Sequence, residues 1–246
     1  MQLKNLVKSL FVSFTLLSTS AAFAAVEDDI KKNTENFVGE KVKSVVKTNY
    51  GDLYEVFLQG GDLIYTDKNN SFYLVSANIV DPKSKTNVTA ERLKKLTAID
   101  FSKLDFNNAI KQVRGNGKRV MATFEDPNCG YCKRLAKTLH SVKDTTIYVF
   151  LYPILSPDSL EKSKQIWCSK DRAKAWNDWM VNGIKPSGNT EKCDVTAIDK
   201  NREFGMKNGV RGTPSIFFAD GVKNPGALPL EEINKQLEKS ILTSKK

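Results

Sequence analysis

Two cysteines, Cys129 and Cys132, are separated by two residues and follow a short apolar run that ends at Phe124. Cys132, Leu135 and Leu139 recur at helical spacing, which predicts that the pair opens a helix. The dipole and free N–H groups of a helix N-terminus favour a thiolate, the form of cysteine that attacks disulfides. The pattern also predicts that Cys132 is the more buried thiol and that Cys129 is exposed.

A Cys-x-x-Cys motif beside a β/α pattern has three interpretations: thioredoxin-like redox chemistry, half of a zinc site, or an inert bridge. Zinc needs four ligands. The other candidates are poor, because Cys168 and Cys193 are far apart in sequence and His140 is the only histidine. We therefore interpret the pair as redox-active and predict no metal ion and no organic cofactor.

Residues 1–24 have the pattern of a removable secretory signal, with a basic start, an apolar stretch from Leu10 to Leu17 and the cleavage signature Ala22-Phe23-Ala24. The alternative, a membrane anchor, needs about 20 apolar residues. We therefore expect a mature chain that begins near Ala25, lies in an oxidising compartment and is not inserted in a membrane.

The four cysteines allow three pairings, and joining Cys129 to Cys132 leaves Cys168 for Cys193. The first bond closes too tight a loop to restrain much of the chain. The second ties a long loop and would stabilise the fold by roughly 3 kcal/mol in the loop-entropy model.

The formal net charge of +10 raises nucleic acid and anionic membranes as partners. The lysines are scattered along the whole chain, without a basic block or the alternation of aromatic and basic residues found in single-strand binders. We interpret the charge as a solvated basic surface and predict no nucleic-acid partner.

The segment from Ala25 to Asp81 predicts a short helix followed by an antiparallel meander. The helical signal covers Glu27–Phe37, and strands are expected at Lys41–Thr48, Leu53–Leu58, Gly61–Thr66 and Phe72–Val80. So small a sheet is marginal on its own and is often completed by a partner. Asn87–Ile99 predicts a helix with one narrow apolar stripe, interpreted as a connecting helix rather than an ordinary helix of one domain.

From about Phe101 the chain predicts one α/β domain. Arg119–Phe124 is the central strand, the helix of the cysteine pair follows, and Thr146–Tyr152 is typical of a buried parallel strand. The three elements give a right-handed crossover. Residues 106–113 fit either an edge strand or a helix, and Gly115-Asn116-Gly117 predicts a turn.

The later part of this domain predicts helices at 157–169, 171–181 and 195–208, a strand at Ser215–Phe218 and a last helix that includes Leu230. The first two helices form an insertion that Trp167, Trp176, Trp179 and Met180 are expected to pack rather than bind a ligand.

Thr213-Pro214 stands directly before the strand at Ser215. Proline is accommodated at the first position of a strand, and after a cis bond the preceding residue presents its backbone for pairing. Alone, the dipeptide indicates a turn. Together with the Cys-x-x-Cys helix it predicts an edge where a peptide docks.

The order of these motifs resembles the periplasmic protein disulfide isomerase family, DsbC and its relative DsbG, over essentially the whole mature chain. The motifs are Phe124-Glu-Asp-Pro-Asn-Cys-Gly-Tyr-Cys132, Ile166-Trp-Cys168, Cys193-Asp194, Gly212-Thr-Pro214 and Pro225-Gly226. After the signal, the resemblance implies an α+β cystatin-like dimerisation domain at 25–85, a linker helix at 86–105 and an α/β thioredoxin-like domain with a helical insertion at 106–246.

The resemblance also implies the roles of individual residues. Cys129 would be the nucleophile and Cys132 the resolving thiol of a redox-active disulfide, and Thr213 with Pro214 would be the docking edge. Cys168 with Cys193 would be a structural disulfide, and the dipeptide Gly130-Tyr131 matches DsbC, where DsbG usually has proline in place of the glycine.

The partners implied by the resemblance are a second copy of the chain, bound through the N-terminal domain, and misoxidised or unfolded exported proteins. A membrane reductase of the DsbD type would keep the pair reduced in the periplasm. Thioredoxins carry a buried aspartate where this chain has Thr123, so we expect that the protein is not a strong reductant. Glu125 and Asp126 lie beside the turn, and we expect their side chains to be solvated or to cap the turn.

Two other functions stay open. A thiol oxidase of the DsbA type shares the Cys-x-x-Cys and Pro motifs, but the N-terminal β module has no place in that monomeric plan. A holdase chaperone would bind unfolded chains without using the thiols, and this activity can coexist with disulfide isomerisation.

Overall fold

The computed structural model describes the backbone of residues 17–243 and the side chains of residues 24–240. The chain divides into two compact units, the first ending at Leu96 and the second beginning at Thr97. Most of the expected signal segment lies outside the described residues. Helix α1 (Leu17–Val38) begins well before the predicted start at Glu27. Within the described part of the chain, no helix is long and apolar enough to cross a membrane.

The first unit is an antiparallel sheet with a helix on each face. Its four strands lie side by side in chain order: β1 (Val42–Lys47), β2 (Tyr54–Leu58), β3 (Leu63–Thr66) and β4 (Tyr73–Leu74). Val56 packs in one core with Ile30 of α1, and Phe57 packs in the other with Leu93 of α2 (Val88–Leu96). Because both faces are covered, every residue of β2 is buried.

The prediction of one continuous strand over Phe72–Val80 is wrong. Extended backbone stops at Leu74, since Ser76 adopts a positive φ of 57°. Val80 pairs instead in a separate two-stranded ribbon of β5 (Val80–Asp81) and β6 (Thr86–Asn87).

Helix α2 ends at Leu96, so the expected linker helix over residues 86–105 is shorter than predicted. Its Thr89 hydroxyl is 2.6 Å from the Tyr65 hydroxyl, and its Arg92 forms an ion pair with Glu55 at 2.6 Å. These contacts fasten α2 to the sheet of the first unit. In the second unit, a 3-10 turn follows at Phe101–Lys103.

The second unit contains a sheet in the order β10-β9-β7-β8, made of β7 (Ile110–Glu125), β8 (Thr145–Leu151), β9 (Ser215–Phe218) and β10 (Lys223–Pro225). The β8 partners of residues 110–114 run from Val149 back to Thr145, whereas those of residues 118–125 run from Thr145 forward to Leu151. Only the second part of β7 is therefore parallel to β8.

The reversal within β7 occurs at the predicted turn, where Gly115 and Gly117 have φ values of 54° and 65°. Side chains are disfavoured there, and a Cβ on Gly115 would lie 2.3 Å from Asp144 Oδ1. For residues 106–113 the sequence fits either an edge strand or a helix. The structure has a 3-10 turn at Phe106–Asn108, followed by a strand that starts at Ile110.

Up to residue 243, where the described backbone ends, the second unit also contains five helices: α3 (Gly130–Leu139), α4 (Pro157–Trp167), α5 (Arg172–Asn182), α6 (Thr196–Lys207) and α7 (Leu230–Thr243). The predicted order of β7, α3 and β8 is confirmed. Helix α4 begins where the Ser156 hydroxyl accepts the N–H of Ser159, and α5 ends at Gly183, which has a φ of 72°.

Side chains of β7 alternate between two cores. Met121 packs with Cys132 and other residues of α3 on one face. On the opposite face, Phe124 stacks on Phe150 with ring centroids 4.9 Å apart. Because side chains alternate along a strand, the odd-numbered residues at the end of β7 lie beneath the helix that carries the cysteine pair.

Candidate active site

Cys129 stands at the N-cap position of α3, with extended backbone and no side-chain capping bond. Its N–H donates to the carbonyl oxygen of Asp126 at 3.1 Å, and its carbonyl oxygen accepts the N–H of Lys133 at 3.1 Å. The turn between β7 and α3 therefore sets the first sulfur at the positive end of the helix dipole, where a thiolate is stabilised.

The Cys129 thiol also contacts the segment before β9. Its Sγ donates to the carbonyl oxygen of Thr213 at 3.2 Å, and the Thr213–Pro214 bond is cis. Cys129 is only 7% exposed. The prediction of an exposed Cys129 was therefore wrong, because the Thr213 backbone lies over the sulfur. The side chain of the next residue but one, Tyr131, is 60% exposed.

Cys132 lies one helical turn into α3 and has no exposed surface, as its spacing predicted. Burial raises the pKa of its thiol, and the charges of Glu125 and Cys129 act in the same direction. The N–H of Asp126 has the opposite effect, because it hydrogen-bonds to the sulfur and favours the thiolate. Both thiols of the pair are free in this structure, so the site is described in its reduced form.

Glu125 was missed as a site residue. It is the last residue of β7 and is fully buried, contrary to the expectation of a solvated or capping side chain. Thr123 Oγ1 donates to its Oε1 at 2.7 Å, and the Cys132 thiol lies beside its carboxyl group. Burial raises the pKa of Glu125 to about 8, and the interactions with Thr123 and Cys132 offset only part of this effect.

Asp126 is also fully buried, and its carboxylate organises the turn. Oδ1 accepts the N–H of Asn128 at 2.8 Å, whereas Oδ2 accepts those of Ile154 and Leu155 at 2.9 and 3.0 Å. Hydrogen bonds to an ionised acceptor are the stronger kind. The Asp126 side chain thus caps the turn, as expected, although it is buried rather than solvated. It also joins the turn to the loop after β8.

Two further side chains fasten the turn to the helical insertion. Asn128 Nδ2 donates to Asp158 Oδ2 at 2.6 Å, and Trp179 Nε1 donates to the carbonyl oxygen of Pro127 at 2.6 Å. The ammonium group of Lys133 lies 4.3 Å from the centroid of the Trp179 ring system. Trp167, Trp176 and Met180 are buried in the core as predicted, but Trp179 also holds the active-site turn.

Cys168 and Cys193 form a disulfide, with Cα atoms 5.8 Å apart and a sequence separation of 25. The bond joins the C-terminal end of α4 to the segment before α6, where the Trp167 indole donates to the carbonyl oxygen of Asp194 at 3.0 Å. His140 is exposed at the end of α3 opposite Cys129. The residues considered for a zinc site therefore do not converge.

Two family models match the chain. Residues 18–90 match the disulfide bond isomerase protein N-terminal domain, and residues 106–241 match the thioredoxin-like domain. Both matches follow the division of the chain into two compact units.

Among known proteins, the chain is 46% identical over 211 residues to the probable thiol:disulfide interchange protein DsbC of Bordetella pertussis, covering 85% of this chain and 74% of the relative. It is 27% identical over 238 residues to the thiol:disulfide interchange protein DsbC of Escherichia coli K12, covering 94% and 96%. The crystal structure of a disulfide interchange protein from Neisseria gonorrhoeae superposes with a TM-score of 0.53 and 38% identity, over 56% of this chain and 98% of that one.

Proposed function

The chain belongs to the DsbC family of thiol:disulfide interchange proteins, and on that premise we propose that Cys129 is the nucleophile and Cys132 the resolving thiol. The protein is a thiol-disulfide oxidoreductase with a thioredoxin-like domain. The observation that carries the residue assignment is the position of Cys129, which occupies the N-cap of α3 and whose sulfur lies 3.2 Å from the Thr213 carbonyl oxygen.

In the first step the Cys129 thiolate attacks one sulfur of a wrong substrate disulfide. A bond forms between Cys129 and that sulfur, the substrate S–S bond breaks, and the other substrate sulfur leaves as a thiolate. Thr213 and Pro214 form the docking edge, where an extended substrate segment replaces the thiol as partner of the Thr213 carbonyl.

The mixed disulfide then has two fates. In isomerisation, a second thiolate of the substrate attacks the substrate sulfur that is bonded to Cys129. A new disulfide forms within the substrate, and Cys129 is released as a thiolate. Alternatively, Cys132 attacks Cys129, which makes the Cys129–Cys132 disulfide and releases the substrate reduced. The second route consumes the two electrons of the pair, and a membrane reductase of the DsbD type restores them.

We also propose that the protein is a periplasmic homodimer assembled through its N-terminal unit. The match of residues 18–90 to the N-terminal domain of a disulfide bond isomerase supports this, as does the small sheet of that unit. Apolar side chains such as Phe37, Val75 and Val80 are exposed there. The N-terminal match also favours an isomerase over a thiol oxidase of the DsbA type.

A holdase activity is the second candidate. Tyr131 and Leu155 are 60% and 55% exposed, and the N–H of Leu155 is bonded to Asp126 in the active-site turn. Exposed apolar side chains beside the turn suit an unfolded polypeptide and need no thiol chemistry.

Replacement of the cysteines tests the assignment, with a substrate protein carrying scrambled disulfides as the probe. Cys129→Ser should abolish both rearrangement and reduction, whereas Cys132→Ser should abolish reduction and accumulate the mixed disulfide. The matched control removes Cys168 and Cys193 together and should retain both activities where it remains folded. Rearrangement by Cys129→Ser at the normal rate would overturn the assignment. Aggregation suppression by Cys129→Ser would show that holdase activity is independent of the thiols.

A further inference from the structure

We propose that Glu125 takes the proton of the Cys132 thiol and thereby sets how a mixed disulfide is divided between reductive release and isomerisation. This inference rests on the roles proposed above for Cys129 and Cys132. It assigns a catalytic role to an acidic side chain that neither the Cys-x-x-Cys motif nor the docking edge includes.

The placement of Glu125 supports this role. Its carboxyl group has no exposed surface and lies at the end of β7, beneath α3 and against the Cys132 thiol. One oxygen, Oε1, accepts the hydroxyl of Thr123 at 2.7 Å, while Oε2 is buried without a partner at normal hydrogen-bonding distance. A buried carboxyl oxygen left unpaired is costly, and such groups concentrate at functional sites.

Cys132 needs a proton acceptor more than Cys129 does. Cys132 is completely buried, so water does not reach its thiol, and burial disfavours the thiolate that must attack Cys129. Once formed, that thiolate accepts a hydrogen bond from the N–H of Asp126. The structure therefore provides a donor that stabilises the thiolate, but the thiol proton still requires a base.

Other bases in the described part of the chain are poorly placed. The Asp126 carboxylate already accepts three backbone N–H groups and is directed at the loop after β8. His140 lies at the opposite end of α3. The polar groups that face Glu125 are Thr123 on its own strand and Cys132 on α3, with Cys129 next to Cys132. Glu125 is thus the carboxylate in contact with the buried thiol.

The step balances without an external reagent. The Cys132 S–H bond breaks, its proton passes to the Glu125 carboxylate, and the Cys132 thiolate attacks the Cys129 sulfur of the mixed disulfide. The Cys129–Cys132 bond forms, the bond from Cys129 to the substrate breaks, and the substrate leaves as a thiolate. The two cysteines of the enzyme are oxidised and the substrate is reduced, with the proton on Glu125.

Isomerisation by a substrate thiolate does not deprotonate Cys132, so the two routes depend differently on Glu125. Burial raises the pKa of this carboxyl to about 8, so its basic form is the minor one at pH 7 and increases through pH 8. Reductive release should therefore accelerate over this range, whereas isomerisation should follow the ionisation of the substrate thiols.

Glu125→Gln tests the proposal in the full chain, because the amide retains the size of the side chain and cannot take up the proton. Reduction is measured on a peptide with one disulfide, and rearrangement on a protein with scrambled disulfides, from pH 6 to 9. General-base assistance contributes about 100-fold or more, so we expect reduction to fall at least about tenfold and much more than rearrangement. The pH inflection near 8 should disappear from the reduction rate.

Thr123→Val supplies a second readout. The Thr123 hydroxyl lowers the pKa of Glu125, so its removal should move the inflection of the reduction rate to higher pH. Glu161→Gln is the matched control, since this exposed residue of α4 pairs with Lys164 on the surface and both activities should be as in the unmodified protein.

Equal losses of reduction and rearrangement in Glu125→Gln, an unchanged reduction rate, or an inflection that survives the substitution would each overturn the proposal. An inflection unmoved by Thr123→Val would do the same. These results are distinct from failure of the proposed function, which would appear as activity without Cys129.

Discussion

The thiol of Cys129 donates a hydrogen bond to the backbone carbonyl oxygen of Thr213, across 3.2 Å and 84 positions of sequence. The contact joins the start of α3 to the segment before β9. Because the carbonyl covers the sulfur, the proposed nucleophile lies beside the proposed docking edge and is shielded for as long as this contact persists. Chemical labelling should detect this shielding.

We expect Cys129 in the reduced protein to react with a small alkylating reagent such as iodoacetamide far faster than Cys132, by about tenfold or more, since Cys132 has no exposed surface. A bulky maleimide should label Cys129 more slowly than it labels the cysteine of a short unfolded peptide, because the Thr213 backbone limits access to the sulfur. Peptide mapping after timed quenching measures both rates. Faster labelling of Cys132 would contradict the described geometry.

The stability of the protein should fall as the pH rises from about 4.5 to 8. Glu125 has its pKa raised from 4.5 to about 8 by burial, so over this range the folded state holds a proton that the unfolded chain has lost. Each pH unit lowers the free energy of unfolding by about 1.4 kcal/mol through this group, or roughly 3 to 5 kcal/mol in all.

Glu125→Gln should remove this contribution, so the variant should gain stability relative to the unmodified protein between pH 5 and pH 8. Urea unfolding at the two pH values measures the difference. A stability difference that stays constant over the range would argue against a buried, protonated Glu125.

Asp126→Asn should destabilise the second unit by about 2 to 4 kcal/mol, because three backbone N–H groups lose an ionised acceptor and the new amide N–H₂ is directed at one or more of them. Urea unfolding measures the loss, and hydrogen exchange should show faster opening of the N–H groups of Ile154 and Leu155. Asp199→Asn on the exposed side of α6 is the control, expected to change stability by less than about 0.5 kcal/mol.

Two glycines should respond oppositely to alanine. A Cβ on Gly130 meets no atom within 4 Å, so Gly130→Ala should raise the free energy of unfolding by about 0.5 to 1 kcal/mol through lower backbone entropy in the unfolded chain. A Cβ on Gly205 would lie 2.5 Å from Tyr152 Cε2, so Gly205→Ala should lower the free energy of unfolding by about 1 to 3 kcal/mol. Urea denaturation compares them, and a destabilising Gly130→Ala would contradict the open space.

Sedimentation should separate the roles of the two units. We expect the mature protein to be a dimer and a fragment starting at Thr97 to be a monomer, because the fragment keeps both cores of the second unit and lacks the N-terminal sheet. The fragment should retain disulfide reduction and lose most isomerase activity. A dimeric fragment or a monomeric mature protein would refute assembly through the first unit.

Strand β7 shows how far the sequence predicts this site. The apolar run, the turn residues and the helical spacing were sufficient to predict β7, α3 and the greater burial of Cys132. They were insufficient for Glu125, because Asp126-Pro127-Asn128 directly after it forms a turn sequence and makes a neighbouring acid look solvated. The available signal was the period of two, which sets Glu125 on the same face as Met121.

Other features depend on contacts that no local pattern encodes. The cover over Cys129 comes from Thr213, and the support of the turn by Trp179 comes from the insertion, 52 positions away. The early end of β4 depends on the positive φ of Ser76. Serine rarely adopts a positive φ, so the residue type did not predict this conformation.

The stacking of Phe124 on Phe150 has a consequence for how this protein can change over generations. Phe124 precedes Glu125 on the strand, and its ring also lies 5.7 Å from that of Phe217. A smaller residue at position 124 would leave the cysteines untouched but remove the ring contacts that hold the strand next to Glu125. If Glu125 acts as proposed, we expect variation at this aromatic position to be limited by redox chemistry as well as by stability, so that the two traits do not evolve independently.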